Sequence, residues 1–236
     1  MKRNLRNILA LSLGLMTTVA FAQDWGVDSR TRIDMSGDND KMETEQRVTL
    51  GATWGGSDWG IHVSSDVNYR LGNNDAASMS IYEAYASADL MGYASLTAGR
   101  MAINNGSGAL MSSNDWGTNR TTWEGMQFGL NLDMADVTIG YHRSNTGAAD
   151  EEDAGNMWLN AGGEFSGWNV NVLYMTDEAN EDAATGIDIS GEVAGAGVSA
   201  SMNTDFDGDE MRVIGLTYAV NDDMGVNVSQ TVYGED

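Results

Sequence analysis

The sequence predicts an all-β fold, a transmembrane antiparallel up-and-down β-barrel. Apolar and polar residues alternate with a period of two along about thirteen segments of strand length, a pattern typical of strands with two different faces. The connections between these segments alternate between short turns and long, mostly acidic loops, as in outer-membrane barrels. Beyond residue 22 the chain has no apolar run long enough for a membrane-spanning helix.

The first segment, residues 1–22, is predicted to be a secretory signal peptide. It begins with basic residues, continues with an apolar run over 8–19, and ends in the small-x-small sequence Ala20-Phe21-Ala22. We therefore expect an exported chain whose barrel domain covers residues 23–236. The expected location is the outer membrane, with membrane lipid as a partner.

Composition excludes several classes of function. The net charge of −23 becomes −26 when the three basic residues of 1–22 are removed, so nucleic acid is not an expected partner. The chain has no cysteine, and its two histidines, His62 and His142, lie far apart in sequence. The acidic segment 205–210 lacks the spacing of an EF-hand and is interpreted as a hairpin tip. With no recognisable nucleophile and base, we predict no enzyme, no cofactor and no metal site.

The predicted strands each have one apolar and one polar face. In the second strand, for example, Val48 and Leu50 alternate with Arg47 and Thr49. The same alternation continues along the chain at the spacing expected of an all-β protein. The predicted strands cover residues 25–35, 47–54, 61–71, 79–90, 93–102, 122–134, 136–143, 156–164, 168–176, 186–194, 197–204, 211–220 and 225–233.

The predicted connections fall into a short class and a long class. The short class covers 55–58, 91–92, 135, 165–167, 195–196 and 221–223, and the long class covers 37–43, 72–78, 103–121, 144–155, 177–185 and 205–210. In hydrocarbon all backbone polar groups must be paired within the protein, so spanning strands close into a barrel. Tryptophans and tyrosines near the strand ends fit interfacial girdles, although both residue types also favour strands in general. With the N-terminus in the periplasm, 103–121 becomes the third external loop.

The strand count conflicts with a closed bacterial barrel. Such barrels have an even number of strands, with both ends on the periplasmic side. The chain also ends without the terminal aromatic residue that outer-membrane proteins commonly carry. Either one strand is miscounted or the sequence is a fragment truncated at its C-terminus. We favour the fragment, as part of a barrel of roughly 14–18 strands.

The region 82–126 carries a recognisable series of short motifs. They are Tyr82-Glu83-Ala84-Tyr85, Leu96-Thr97-Ala98-Gly99-Arg100, Gly106-Ser107-Gly108-Ala109-Leu110, Asn114-Asp115-Trp116, Arg120, and Glu124-Gly125-Met126. This series resembles Gram-negative outer-membrane porins, and most closely the alginate-export-like porins of Bacteroidetes. In that family an E-A-Y strand precedes a G-R-Q strand end, a Gly-rich loop with D-W, and an R-x-(F/W)-(D/E)-G strand start. Here Met101 replaces the usual polar residue after Gly-Arg, and Glu124 stands where Asp is common.

The resemblance implies a water-filled channel, often a homo-oligomer such as a trimer, whose third loop folds inward. The expected function is passive diffusion of small hydrophilic solutes or ions through a lumen that the loop 103–121 narrows. Two alternatives stay open: a structural or adhesive barrel whose lumen is plugged by side chains, and a channel that exports anionic polysaccharide. Fixed charges at such a constriction would select solutes by their sign.

Charged residues at lumen-facing positions are the candidates for the constriction. Four arginines lie on the first three strands, which suggests a basic strip that faces an acidic loop. Acids could oppose these arginines, among them Asp28, Asp34, Glu45, Asp66, Glu83 and Asp115. The other interpretation is that arginines and acids pair across strands and fill the lumen, and both can hold together. The candidate lining and constriction residues are Arg30, Arg32, Arg47, Arg70, Asp66, Glu83, Arg100, Asp115, Arg120 and Glu124.

Arg100 and Arg120 flank the long loop. Arg100 shares its face with the lipid-facing Leu96 and Ala98, so either a bulge or the end of the membrane band must intervene. At the centre of the membrane an arginine on this face would cost roughly 2–4 kcal/mol. We expect both arginines at the base of the loop, where they pair with Asp115 or Glu124 and hold the loop in place.

Overall fold

A computed structural model describes residues 23–35, 42–72, 77–115, 117, 120–143, 155–177, 182–221 and 224–234. The predicted signal peptide 1–22, Trp116 of the Asp-Trp motif, and parts of every predicted long connection except 205–210 lie outside the described residues. Within the described part of the chain, no helix is long and apolar enough to cross a membrane. The described residues contain thirteen β-strands, as the sequence predicts.

The strands belong to two compact units that divide between Ala88 and Asp89. The N-terminal unit contains β1 (Gln23–Asp34), β2 (Glu43–Gly55), β3 (Trp59–Arg70) and most of β4 (Ser78–Leu90). The C-terminal unit contains β5 (Ala94–Met101), β6 (Trp123–Leu132), β7 (Ala135–Arg143), β8 (Gly155–Phe165), β9 (Trp168–Asp177), β10 (Ala183–Val193), β11 (Ala196–Thr204), β12 (Glu210–Asn221) and β13 (Met224–Tyr233). Within each unit every strand pairs antiparallel with its neighbour in sequence. The fold is therefore all-β and up-and-down.

The strand β10 begins earlier than the sequence predicts. Its first residue, Ala183, lies opposite Thr176, and Ala184 next to it is completely buried. The prediction assigned both residues to an acidic loop, because alanine and the acids before it give no strand signal. Pairing with β9 extends the strand into this segment, which shows that the partner strand sets the boundary.

Several short turns reverse the chain with a left-handed backbone. Met91 and Gly92 have φ angles of 62° and 74°, and Ser166 and Gly167 have 54° and 82°. Two consecutive positive φ angles are characteristic of the type I′ turn, which matches the twist of the strands it joins. Glycine at the second position tolerates this conformation, which explains why such short connections suffice.

Each unit has one apolar and one polar face. In the C-terminal unit Val172, Ile187 and Met202 form one cross-strand row, and each exposes 41–45% of its surface. Asn171, Asp188 and Ser201 form the adjacent row, which points to the opposite face. In the N-terminal unit the polar face carries the row of Arg30, Arg47 and Asn68, and the apolar face exposes Leu50, Ile61 and Val63, among others. An exposed apolar face this extensive is unusual for a protein surrounded by water and marks a membrane or protein contact.

Candidate functional site

The four arginines of the N-terminal unit share its polar face. Arg30 lies directly opposite Arg47, and Arg32 and Arg70 flank Glu45 on its two sides. Arg47 is 95% buried, with a relative exposure of 5%. The strand register thus brings the predicted basic strip together in one place, because β1, β2 and β3 pair without a register shift between these residues.

Acidic residues are interspersed with this strip. Asp66, with a relative exposure of 3%, accepts a hydrogen bond of 2.6 Å from the Thr49 hydroxyl. Arg70 lies 3.3 Å from a Glu43 carboxylate oxygen and 3.5 Å from one of Glu45. For Arg70 the structure therefore favours pairing with acids across strands, which is the second of the two interpretations of this strip.

Glu83 belongs to a separate polar group on the same face. Its Oε2 lies 3.5 Å from His62 Nε2 and accepts a hydrogen bond of 3.4 Å from Ser64. The His62 ring also stacks on Tyr85, with a centroid separation of 5.1 Å. Next to Ser64 the pairing of β3 with β4 shifts register.

The long loop 103–121 has an ordered fold of its own in the described residues. The Asn105 amide donates to the Met111 carbonyl at 3.1 Å, and Asn105 and Met111 form an isolated β-bridge. The Asn104 side-chain oxygen accepts bonds from the Ser113 amide at 2.7 Å and the Ser113 hydroxyl at 3.1 Å. The Thr121 amide donates to the Ser113 carbonyl at 2.8 Å. The sequence predicts a long connection here, and the described residues of it form a small hairpin.

We expect Asn104→Ala to loosen this hairpin. The variant removes the acceptor of two hydrogen bonds from Ser113, which is almost fully buried. At about 1 kcal/mol net per bond, the local opening free energy of the loop should fall by about 1–2 kcal/mol. Hydrogen exchange at Ser113 measures this change, and exchange at Val172 in β9 serves as the internal reference. Unchanged protection at Ser113 would show that Asn104 does not hold the loop.

The tip of the loop, residues 106–110, lies on the polar face of β9, β10 and β11. The Asn203 side-chain amide donates to the Ser107 hydroxyl at 3.3 Å. Gly106 lies so close to Asp188 and Asn171 that a Cβ atom there would collide with the Asp188 carboxylate. The Leu110 side chain covers Gly186, where an added Cβ would lie 3.5 Å from Leu110 Cδ1.

Apolar burial accompanies this seating. Met111 of the loop is completely buried, and Leu173 and Met175 on the polar face of β9 are each only 2% exposed. On the polar face of β7 and β8, Trp158 lies opposite Gly140 and its ring covers that residue. A Cβ atom at Gly140 would overlap the indole. The His142 ring lies between Trp123 and Trp158, at centroid separations of 4.5 and 6.1 Å. Because the Leu110 side chain covers Gly186 and Met111 is fully buried, the loop is held by packing as well as by polar contacts.

Ion pairs lie at the two ends of the loop. Arg100 forms an ion pair with Glu124, and the Arg100 Nε donates to the same Glu124 oxygen at 2.6 Å. Arg120 lies 3.6 Å from an Asp115 carboxylate oxygen, and the side chain of Arg120 is only 9% exposed. Both pairings match the expectation from sequence.

The register corrects the position of one of these pairs. The ladder between β5 and β6 runs without a shift, and Arg100 and Glu124 lie opposite one another on the face that carries Leu96 and Phe128. No bulge in this ladder turns them to the polar face, so the remaining explanation is that they lie at the end of the apolar band. Arg100 and Glu124 therefore do not line the polar face, contrary to the expectation from sequence.

Several residues that contact the loop were not among the sequence candidates. Asn171, Asp188 and Asn203 are on three different strands and contact the loop from there. Their alternation with Val172, Ile187 and Met202 could have placed them on the polar face. No pattern in the sequence could have shown that a loop as many as 96 residues earlier lies on that face.

Comparison with known proteins identifies the fold. No protein-family model matches the chain, and no curated protein sequence matches it. The crystal structure of Pseudomonas aeruginosa OccD3 (OpdP) is similar with a TM-score of 0.58 and 14% identity, over 85% of this chain and 58% of that one. Pseudomonas putida OprB at low pH has a TM-score of 0.62 and 13% identity, over 89% of this chain and 77% of that one.

A third structure gives the same result. Pseudomonas aeruginosa OccK2 (OpdF) has a TM-score of 0.60 and 13% identity, over 91% of this chain and 64% of that one. The chain therefore spans less than two thirds of the length of OccD3 and OccK2. These structures are Gram-negative outer-membrane porins, and the chain has the fold of their β-barrels.

Proposed function

We propose that the chain forms a passive diffusion channel in the outer membrane, through which small hydrophilic solutes or ions move down their gradients. The observation that carries this proposal is the seating of the loop 103–121 on the polar face of β9–β11 through Gly106 and Ser107. In a membrane barrel of this fold the apolar face meets lipid and the polar face lines a wet lumen. A loop fixed to the polar face therefore occupies the lumen and narrows it.

The charges support a channel that discriminates solutes by sign. The polar face of the N-terminal unit carries both signs, and the loop itself carries the pair Asp115 and Arg120. On the polar face of the described strands β5–β13 the ionised residues are acids, because Arg100, Arg143 and Arg212 alternate onto the other face. The residues proposed to line the lumen are Arg30, Arg32, Arg47, Arg70, Asp66, Glu83, Asp115 and Arg120. An excess of carboxylates repels anions, which argues against export of an anionic polysaccharide.

The finer features of this proposal come from the sequence. Residues 1–22 act as an export signal that is removed, the barrel starts at residue 23, and membrane lipid surrounds its apolar face. The motifs of the region 82–126 support a relation to alginate-export-like porins and assembly into trimers. Because the mechanism is diffusion through a static opening, it involves no chemical turnover and no cofactor.

Conductance in a planar lipid bilayer tests the channel. The full chain, purified from outer membranes and added at low concentration, should raise the current in discrete steps of uniform size. The same preparation unfolded in urea and added without refolding serves as the control and should give no steps. A folded chain that inserts into the bilayer but gives no steps would contradict the channel and support a barrel plugged by side chains.

A further inference from the structure

We propose that a basic row on the apolar face of β5–β7 binds the phosphate group of an anionic membrane lipid. The row consists of Arg100, Glu124 and Arg143, and we call it the arginine row. The inference uses the barrel fold and its lipid-facing apolar face, and it does not depend on conduction. A barrel plugged by side chains would present the same outer surface to the membrane.

The strand register places the three side chains of the arginine row next to one another. Arg100 lies opposite Glu124. Gly125 lies opposite His142, so Glu124 and Arg143 are the next residues along the paired strands β6 and β7. All three lie within one residue of the strand ends that carry the long connections. Because neighbouring strands are about 4.8 Å apart, the two arginines flank Glu124 and their long side chains can converge on one ligand.

The arginine row has an excess of positive charge in an acidic chain. Arg100 forms an ion pair with Glu124, and one carboxylate balances only one of the two guanidinium groups in the row. The side chains of Arg100 and Glu124 are 40% and 50% exposed, and Arg143 is also exposed. An anion that approaches from the membrane side therefore meets accessible positive charge here.

The third arginine on this face differs from the arginine row. Arg212 lies at the start of β12, at the same end of the strands, and its guanidinium is paired with the Glu210 carboxylate. Pairing of one arginine with one glutamate leaves no excess charge at that position. The arginine row is therefore the place on the apolar face of the described strands β5–β13 where basic residues outnumber acids.

Apolar rows continue from the arginine row toward the middle of the strands. Met126 and Met157 lie on the two sides of Tyr141, and each methionine exposes 54% of its surface. Phe128 and Ile139 form the next row. Tyrosine is typical of the boundary between lipid headgroups and hydrocarbon. The sequence of charged row, tyrosine and apolar surface matches the sequence of headgroup, boundary and acyl chain in a lipid.

Arginine and phosphate match in geometry as well as in charge. The guanidinium group presents its N–H donors as a planar fork, which binds two phosphate oxygens through charge-assisted hydrogen bonds. A lipid phosphate between Arg100 and Arg143 would accept bonds from both. In the orientation predicted from the sequence this end of the strands faces the cell exterior, so the ligand is an anionic phosphate lipid of the outer leaflet. A zwitterionic lipid balances its phosphate with its own ammonium group and should bind more weakly.

Native mass spectrometry of the folded full chain in detergent micelles tests the proposal, with dioleoyl phosphatidate, dioleoyl phosphatidylcholine and oleate as probes. One phosphatidate should bind saturably and about fivefold more tightly than either of the other two, the factor expected for one basic residue at an anionic membrane surface. Arg143→Gln should weaken phosphatidate binding by about the same factor. Glu124→Gln should tighten it, because the row then keeps both arginines and loses its carboxylate.

Arg70→Gln is the matched control for the loss of charge. Arg70 lies opposite Glu45 on the polar face of the N-terminal unit, so the substitution removes the same charge from a surface that lipid does not reach. This variant should bind phosphatidate like the parent chain. If Arg143→Gln fails to fold, Arg100→Gln replaces it with the same expectation.

Four results would overturn the proposal: equal affinities for phosphatidate and phosphatidylcholine, oleate binding as tight as phosphatidate binding, equal losses in Arg143→Gln and Arg70→Gln, or weaker binding in Glu124→Gln. Displacement of the lipid by an equal concentration of inorganic phosphate would also overturn it, because the site would then take the free ion. Conductance is measured separately. Steps in the bilayer without a preference for phosphatidate remove only this inference, whereas the preference without steps removes the channel and leaves the lipid site.

Discussion

A Leu216→Arg chain is expected to be about 2–4 kcal/mol less stable in lipid bilayers than the parent chain. Leu216 lies near the middle of β12, on the apolar face, with 49% of its surface exposed. Arginine at the centre of the lipid-facing surface of a barrel has to be buried in hydrocarbon or to deform the bilayer around it. This makes the substitution one of the most damaging that leave the core packing intact.

The neighbouring position provides the matched control. Thr217 is on the polar face, opposite Gly197 and Asn227. An arginine there would extend into water, so Thr217→Arg should change the stability by about 0.5 kcal/mol or less. Urea titrations of both variants in phosphatidylcholine vesicles, followed by tryptophan fluorescence, measure the two free energies of unfolding. Equal losses in the two variants would contradict the assignment of the faces.

A Gly106→Val chain is expected to lose the seating of the loop and to conduct more current than the parent chain. The new side chain would collide with the Asp188 carboxylate and the Asn171 amide. Overpacking of this kind costs about 1–3 kcal/mol, and the positive φ of 57° at Gly106 adds roughly 1–2 kcal/mol for any residue with a Cβ. A loop tip that leaves this position relieves the collision, and a loop that is no longer fixed across the proposed lumen obstructs it less.

The variant Gly208→Val separates the collision from the backbone strain. Gly208 also has a positive φ, of 88°, but a Cβ atom there would meet nothing within 4 Å. The Gly208→Val chain should therefore carry the free-energy cost of the strained backbone but conduct like the parent chain. Single-channel recordings of both variants, with hydrogen exchange at Met111 as a measure of loop seating, decide the matter. A Gly106→Val chain that loses protection at Met111 but keeps the parental conductance would show that the loop does not narrow the path.

Local sequence patterns predict the two faces of a strand better than they predict where the strand begins and ends. The alternation around Val48 and Leu50 correctly separated the two faces of β2, because successive side chains of any strand point in opposite directions. The same rule applied to Arg100 gave its face correctly, and only the β5–β6 ladder showed that no bulge turns it away. Strand ends were less certain, as at Ala183, because the partner strand determines how far pairing extends.

The sequence by itself determined the all-β class, the thirteen strands and the polarity of their faces, since these follow from a period of two in local chain geometry. It also predicted 103–121 as the longest of the connections. Only the tertiary structure decided what that loop contacts. The hydrogen bond from Asn203 to Ser107 joins residues 96 positions apart, and Gly106 is matched to Asp188 by shape. Such contacts depend on the register of several intervening strands, and no short segment of the chain carries that information.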